Sequence, residues 1–437
     1  MNKIKLLDIL TGKSVWENYQ TYNITQWYSK EEMQKFQLNK LKLLLQHCNE
    51  NIPYYQRIIT KQGIDIEKID SLDVLKQFPI LTKEIIQANY DDFIPKNQNS
   101  IRGVKLGQTG GTTGNILFKR NDANSRSSAW GSAKRAEDWM GLNLPKKTLI
   151  LMGGHVKKTS LLNRLTTKAL ELLSNNVKVD IYDTSNKTLE TAINLLKSNK
   201  FSRIRAYPQF LFSIALKLEE LEISFFVDSI YTTAEPLMPE HRALFKKVFN
   251  AEVFDQYGCG EIGGLAYECE KHEGLHITEE HVIVEQNNSN ELIITDLDNY
   301  TMPFIRYWNA DQAIISEKNC SCGRKSQLIT QIMGRTCDYI TGINGQYLHW
   351  AYFWHLIFDS DIAKNRNVKK FQIVQENNDR ILVRLIADTL TEDEERFLIT
   401  DIQKRIGKVN ISIAYEDHIE NSKTGKYRPV INHMLNL

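Results

Sequence analysis

Residues 201–261 read FSRIRAYPQFLFSIALKLEELEISFFVDSIYTTAEPLMPEHRALFKKVFNAEVFDQYGCGE. Within this stretch Ile204–Ala206, Ser229–Thr232 and Val253–Asp255 are short runs of strand length, while 208–221 and 238–249 carry apolar residues at helical spacing. Strand, helix, strand, helix, strand at this pitch predicts a mostly parallel α/β sheet with helical crossovers. The alternation extends upstream, with strands expected at Thr148–Met152 and Val177–Tyr182 and helices near 160–174 and 187–199.

Outward from this centre the pattern changes on both sides. The first hundred residues read as helical: Ser29 and Glu32 form a capping box, and Met33, Phe36, Leu41, Leu44, Leu45 and Cys48 recur near helical spacing until Asn51-Ile52-Pro53. After 265 the reading turns to β, with strands at His281–Glu285 and Glu291–Thr295. Beyond about 335, Phe371–Val374 and Ile381–Ile386 flank the turn Asn377-Asn378-Asp379. Thr391 and Glu394 then cap a helix ending near Gly407, and Ile411–Tyr415 is a last strand. The expectation is a large N-terminal domain over 1–335, with a β-rich part at about 262–333, and a small α+β domain over 336–437.

Composition excludes several function classes. The 437 residues hold 55 Lys and Arg against 53 Asp and Glu, a net charge of +2, so no massed basic surface suggests a nucleic-acid partner. Hydrophobic residues at 42% and charged residues at 25% suit a globular chain with a large core. No apolar run reaches the roughly 18 residues that a membrane span needs. The start, MNKIKLLDIL, is interrupted by Asp8, which argues against a signal peptide. A cytoplasmic protein is expected.

The densest glycine cluster is Gln108-Thr109-Gly110-Gly111-Thr112-Thr113-Gly114, whose backbone N–H groups and hydroxyls can cradle phosphates. It is neither a Walker loop nor GxGxxG. Tyr257-Gly258-Cys259-Gly260-Glu261 follows the strand at Val253–Asp255, where ligand sites of α/β sheets gather. Met302-Pro303-Phe304-Ile305-Arg306-Tyr307 with Asp311, then Gly334-Arg335-Thr336-Cys337-Asp338, then Lys423-Thr424-Gly425-Lys426-Tyr427-Arg428 complete the series. In this order and spacing the segments resemble the adenylate-forming superfamily of acyl-CoA synthetases and peptide-synthetase adenylation domains. QLNKLKLLLQHCNENIPYY (37–55) and FPILTK (78–83) are similar to the phenylacetate–CoA ligase-like branch, which includes members associated with capsular polysaccharide synthesis.

That resemblance implies an ATP-dependent ligase: a carboxylic acid attacks the α-phosphate, pyrophosphate leaves, and coenzyme A or an amine captures the acyl-adenylate. It implies that Thr109–Gly114 holds the β- and γ-phosphates, that Glu261 holds Mg²⁺, and that Ala234-Glu235-Pro236 with Gln256 and Tyr257 lines the adenine. It places Gly258, Cys259 and Gly260 in the nucleotide loop, Asp311 at the ribose, and Arg335 near ribose and phosphate at the hinge. Lys426 falls at the lysine that stabilises the adenylation transition state from a mobile C-terminal domain, with Thr109 and Glu261 as its catalytic partners. Three positions depart from the family pattern. Asn115-Ile116-Leu117 follows Gly114 where a lysine is usual, with Lys119 two residues on; Gly260 replaces a threonine; Cys337 takes the pivot aspartate's place. These departures leave a non-catalytic binding relative as a further alternative. A homodimer is compatible with the chain.

The cysteines carry a separate signal. Cys269-Glu270-Lys271-His272 and Cys320-Ser321-Cys322-Gly323 offer three thiolates and an imidazole, a set that suits structural zinc, with His276 as the rival fourth ligand. Cys48 reads as a core thiol and Cys259 as a thiol without an activating neighbour. His155 is a candidate acyl-substrate contact, and Trp130 and Trp139 are expected in the core.

Overall fold

The computed structural model describes residues 12–108, 117–141, 147–152, 175–181, 186–316, 318–335, 339–343, 347–358, 360–420 and 427–434, with positions 5 and 8. The helix expected near 160–174 and His155 lie outside them. Helices α1 (Val15–Thr25), α2 (Lys30–Asn51) and α3 (Pro53–Gln62) come first, followed by α4 (Lys83–Ala88). The expected capping box opens α2: Ser29 N–H donates to Glu32 Oε2 at 2.7 Å, and Glu32 N–H to Ser29 Oγ at 3.2 Å. A hairpin of β1 (Lys105–Gln108) and β2 (Phe118–Asn121) leads into α5 (Ala123–Trp139), capped by Asp122.

The alternating centre forms β3 (Thr148–Leu151), β4 (Asn176–Val179), α6 (Asn186–Ser198), β5 (Arg203–Ala206), α7 (Pro208–Glu220), β6 (Ser229–Thr233), α8 (Pro239–Phe249) and β7 (Glu252–Tyr257). These five strands are parallel, as the strand–helix alternation requires. Strands β8 (Ala266–Glu268), β9 (Leu275–Ile277), β10 (Val282–Gln286), β11 (Glu291–Asp296), β12 (Tyr307–Ser316) and β13 (Leu328–Arg335) are antiparallel. They continue the same sheet, in the order β10-β11-β12-β13-β9-β8-β7-β6-β5-β3-β4 among the described residues. Strand β7 is the seam, parallel to β6 and antiparallel to β8.

A smaller unit follows. It comprises β14 (Tyr339–Thr341), β15 (Tyr347–His349), α9 (Trp350–Phe358), α10 (Asp361–Asn365), β16 (Lys370–Asn377), β17 (Arg380–Ile386), α11 (Glu392–Ile406), β18 (Asn410–Tyr415) and β19 (Val430–Asn432). The expected hairpin, capped helix and strand at 411–415 are present, but that strand, β18, is not the last: β19 follows it and adds a fourth strand in the order β18-β17-β16-β19.

Three apolar clusters hold these layers. Leu41, Leu44, Cys48, Ile52 and Tyr55 of the N-terminal helices are buried against Ile294, Phe304 and Tyr307, so Cys48 is a core thiol. Leu149, Ile204, Leu211, Ile230 and Val253 form the core of the parallel half. Trp354, Phe371, Ile402 and Val430 centre the C-terminal unit, which also buries Met238 of the large unit. Trp139 is buried as expected, but Trp130 is 53% exposed. The buried stripe of α5 runs through Ser128, Gly131, Ser132, Arg135, Ala136 and Trp139, and position 130 lies off that face.

Candidate active site

The expected site residues 234–236 and 256–261 gather at the carboxyl ends of β6 and β7, where ligand sites of parallel sheets form. Beyond β7, residues 258–265 bring Glu261 back beneath the sheet end, with its side chain buried. Glu261 Oε1 accepts from the Tyr307 hydroxyl at 2.9 Å, and Lys83 Nζ lies 3.4 Å away. Lys83 arrives there because the segment 78–83 joins the sheet by one residue. Leu81 N–H donates to the Arg306 carbonyl and Trp308 N–H to the Leu81 carbonyl, each at 2.9 Å, making a parallel bridge to Tyr307. Lys119, in β2, donates to the Gly260 carbonyl. Two ammonium groups thus flank the Glu261 loop, although no lysine follows Gly114 directly.

A second group lies on β7 and β12. The Tyr257 hydroxyl donates to Asp311 Oδ2 at 2.6 Å, and Asn309 Nδ2 donates to both, at 2.7 and 2.9 Å. Burial, with Asp311 beside it, raises the Tyr257 hydroxyl well above its ordinary range, so it stays protonated and donates. Asp311 is the cross-strand partner of Arg335, which joins those two predicted residues by backbone register. Cys259 makes no nucleophile: burial and nearby Glu261 push its thiol up to about 12. Gln256 Oε1 accepts from the Tyr231 hydroxyl.

At the end of β6, Ala234 takes φ 73° and turns the chain sharply. The Glu235 carboxylate that follows is engaged by backbone amides, Gln209 N–H at 3.0 Å and Tyr427 N–H at 2.8 Å. Thr109–Gly114, Cys337 and Lys426 lie outside the described residues. Sequence reading missed Lys83, Tyr307 and Asn309 as site residues. Lys83 and Tyr307 end the quoted segments FPILTK and MPFIRY, so their segments carried a signal, but nothing local assigned them to Glu261.

The three cysteines meet as expected, but the histidine beside them is His276, the rival candidate, and not His272. Cys269, Cys320, Cys322 and His276 bring their ligand atoms within 4.8 Å of one another. His272 stands elsewhere, with Nδ1 3.2 Å from Glu268 Oε1, Nε2 3.4 Å from Glu252 Oε2, and its ring against Phe254. The separations Cys269 Sγ–Cys320 Sγ of 3.7 Å and Cys322 Sγ–His276 Nε2 of 3.4 Å are too long for covalent bonds. They approach the edges of a tetrahedron with metal–sulfur bonds of about 2.3 Å and a metal–nitrogen bond of about 2.0 Å, roughly 3.8 and 3.5 Å. His276 Nδ1 meets Ser326 Oγ at 2.9 Å, which fixes the ring and frees Nε2. Burial, then Arg324 and Arg135, lower the His276 imidazole to about 3, so it is neutral, as a ligand must be.

Residues 351–433 match the family model of the CapK C-terminal domain. The chain is 24% identical over 349 residues to the phenylacetate–coenzyme A ligase of Thermus thermophilus, covering 72% of this chain and 73% of that one. It is 24% identical over 400 residues to Protein CapK of Staphylococcus aureus, covering 89% and 86%. The solved structure of 2-hydroxyisobutyryl-CoA ligase in its postadenylation state, in complex with 2-HIB-AMP, is similar with a TM-score of 0.72 at 16% identity, covering 93% of this chain and 91% of the other. The same ligase in its thioesterification state gives a TM-score of 0.60. The resemblance to adenylate-forming ligases and their phenylacetate–CoA ligase-like branch is borne out over most of the chain, and the α/β fold with a small C-terminal unit is theirs. Among the described residues no helix is long and apolar enough to cross a membrane.

Proposed function

We propose that this chain is an AMP-forming carboxylate ligase that transfers its acyl group to coenzyme A. A carboxylate oxygen of the acid bonds to the α-phosphorus of ATP as the bond to pyrophosphate breaks. The thiolate of coenzyme A then bonds to the acyl carbon, and AMP leaves. The observation that carries this reading is the meeting of Glu261 with Lys83 and Tyr307 beyond the end of β7, with Lys119 on the neighbouring Gly260 carbonyl and the Tyr257–Asp311 pair alongside. Bringing an anionic acid to a triphosphate needs charge neutralisation more than proton transfer, and two ammonium groups along this loop supply it.

In this reading Thr109–Gly114, the segment between β1 and β2, receives the β- and γ-phosphates. Ala234-Glu235-Pro236 and Gln256 line the adenine by their backbone alone, the Glu235 carboxylate being turned to the Gln209 and Tyr427 amides, with Tyr257 beside the base. Asp311 and Arg335 take the ribose, and Lys426 is the catalytic lysine of a mobile domain over 336–437. Glu261, a buried carboxylate at a strand end, suits Mg²⁺, which when bound neutralises phosphate charge. Cys269, His276, Cys320 and Cys322 would hold structural zinc, a donor set that fits by chemistry and by edge length. Four protein ligands would make the site structural, tying the β8–β9 turn to the loop at 320–323. We place the protein in the cytoplasm.

An amine of an amino sugar or amino acid in polysaccharide synthesis is the second acceptor. The match of residues 351–433 to the CapK C-terminal domain favours keeping it. A panel of carboxylic acids, beginning with phenylacetate, tested for ATP–pyrophosphate exchange decides the first step. Acid-dependent exchange is expected, and its absence across the panel sinks the reading. Thioester formation with coenzyme A then separates the two acceptors.

A further inference from the structure

The C-terminal unit meets the large one through α7, α8 and the turn after β6. Much of that contact is aromatic. The His241 ring lies 4.9 Å from Trp354, Phe212 lies 6.3 Å from Phe358, and Trp354 Nε1 donates to Glu240 Oε2 at 3.1 Å. Such packing tolerates sliding and rotation. It also carries a built-in cost, because His241 Nδ1 accepts from Met238 N–H at 3.4 Å while its buried Nε2 finds no partner among the described residues.

Hydrogen bonds fix register in this interface: besides Trp354 to Glu240, Gln209 Nε2 donates to the Lys369 carbonyl at 3.4 Å, and Glu235 makes the charge-assisted contact. The turn at Ala234 presents the Glu235 carboxylate to the first turn of α7, where the Gln209 amide and the positive end of the helix favour an anion. Its other oxygen takes the Tyr427 amide, 192 residues away in the chain. Tyr427 is itself built into the C-terminal unit. Its hydroxyl donates to the Phe371 carbonyl, and its ring packs edge-on to Phe371 at 6.4 Å with Lys370 Nζ 5.1 Å from its centroid. Holding this amide therefore helps to hold the unit, and Lys426 is the preceding residue in the sequence.

We propose that Glu235 is a positioning residue for adenylation, a latch by which the large unit holds Tyr427 and so delivers the adjoining Lys426. The inference rests on the ligase reading above. If the C-terminal unit rotates between the two half-reactions, the bond to Gln209, internal to the large unit, persists and the bond to Tyr427 breaks. The latch then acts in the first half-reaction only.

The test uses the full chain and two variants, Glu235→Ala and Glu235→Gln. Hydrogen exchange without ligands comes first: the Tyr427 amide exchanges about tenfold faster in Glu235→Ala, by an intermediate factor in Glu235→Gln, and β16 amides are unchanged. Kinetics follow with the acid found active in the exchange panel, phenylacetate being tried first. In Glu235→Ala, ATP–pyrophosphate exchange at saturating ATP falls about tenfold, the rate equivalent of one charge-assisted hydrogen bond, with KM for ATP little changed. Thioester formation from supplied acyl-adenylate and coenzyme A stays within about twofold. Unchanged exchange of the Tyr427 amide overturns the latch, as does an equal fall in both half-reactions or undiminished pyrophosphate exchange. A wild-type chain inactive with every acid overturns the ligase reading instead, while the hydrogen exchange still reports on the contact.

Discussion

His272 adopts φ 54°, and its N–H closes a turn on the Cys269 carbonyl at 3.1 Å. That left-handed residue sends the imidazole back toward Glu268 and away from the thiols, and the strand after it carries His276 to Cys322 instead. The spacing CxxH was readable, but the turn's handedness was not, because nothing but the folded environment selects it. The consequence is testable. Protein purified without chelator should hold about one equivalent of zinc, lost in Cys322→Ser and His276→Ala but kept in His272→Ala. Metal analysis finding none in the wild type removes the zinc, and equal loss in His272→Ala reinstates the other histidine. A second residue makes stability depend on pH. Burial pushes the Asp255 carboxyl up to about 7, reinforced by the charge of Glu268 and opposed by the Thr232 hydroxyl, which donates at 2.6 Å. An unfolded aspartate ionises near 3.9. Between roughly pH 4 and 7 the folded chain thus keeps a proton that the unfolded chain has released, and stability falls as pH rises through that window. Asp255→Asn lacks this proton, so its urea midpoint relative to wild type should climb from pH 4.5 to 7; parallel profiles would mean Asp255 is ionised in the fold.

The loop from Gly258 to Leu265 holds its shape by contact with α5 and β10. His281 Nε2 donates to the Gly263 carbonyl at 3.0 Å, and His281 Nδ1 is held by Asp298 at 2.9 Å. At Gly264, φ is 71°, and an added Cβ would lie 2.7 Å from Ser132 Oγ and 3.0 Å from Ala129 Cα. Gly264→Ala must therefore push the loop off α5. We expect a loss of about 2 kcal/mol or more in urea denaturation, together with a raised KM for Mg·ATP as Glu261 shifts. An unaltered KM would show that Glu261 is indifferent to the loop's position. At this scale the sequence was most informative where periodicity and caps coincide. The segments 208–221 and 238–249 and the boxes at Ser29 and Thr391 appear nearly as expected. Strands β8 and β9 were not seen in advance, since three residues carry too little alternation to register. Strand β12 hid because Asn309 and Asp311, polar yet buried in their bonds to Tyr257, interrupt its inward face.

Across the whole molecule, what escaped the sequence is what depends on distant pairing. Lys83 reaches Glu261 only through the bridge between Leu81 and Tyr307, and Arg306 steadies that junction by donating to the Phe78 carbonyl, 228 residues away. Gly-rich motifs announce themselves locally, whereas these contacts have no local trace. The N-terminal helices are bound the same way. The Tyr55 hydroxyl donates to the Pro303 carbonyl at 2.9 Å and accepts from Ile305 N–H at 3.1 Å, all buried. Tyr55→Phe strands two backbone groups and should cost about 1–3 kcal/mol in urea denaturation, with an accompanying loss of pyrophosphate exchange because the same segment carries Tyr307. A variant as stable as wild type would mean that water replaces the hydroxyl. These spans also set a timetable. The apolar face of Leu41, Leu44, Ile52 and Tyr55 leaves the ribosome about 250 residues before Pro303 does. At roughly 5–20 residues per second it waits about 10–50 s for its partner, a period in which a chaperone or a solubilising neighbour has to stand in for the unfinished sheet.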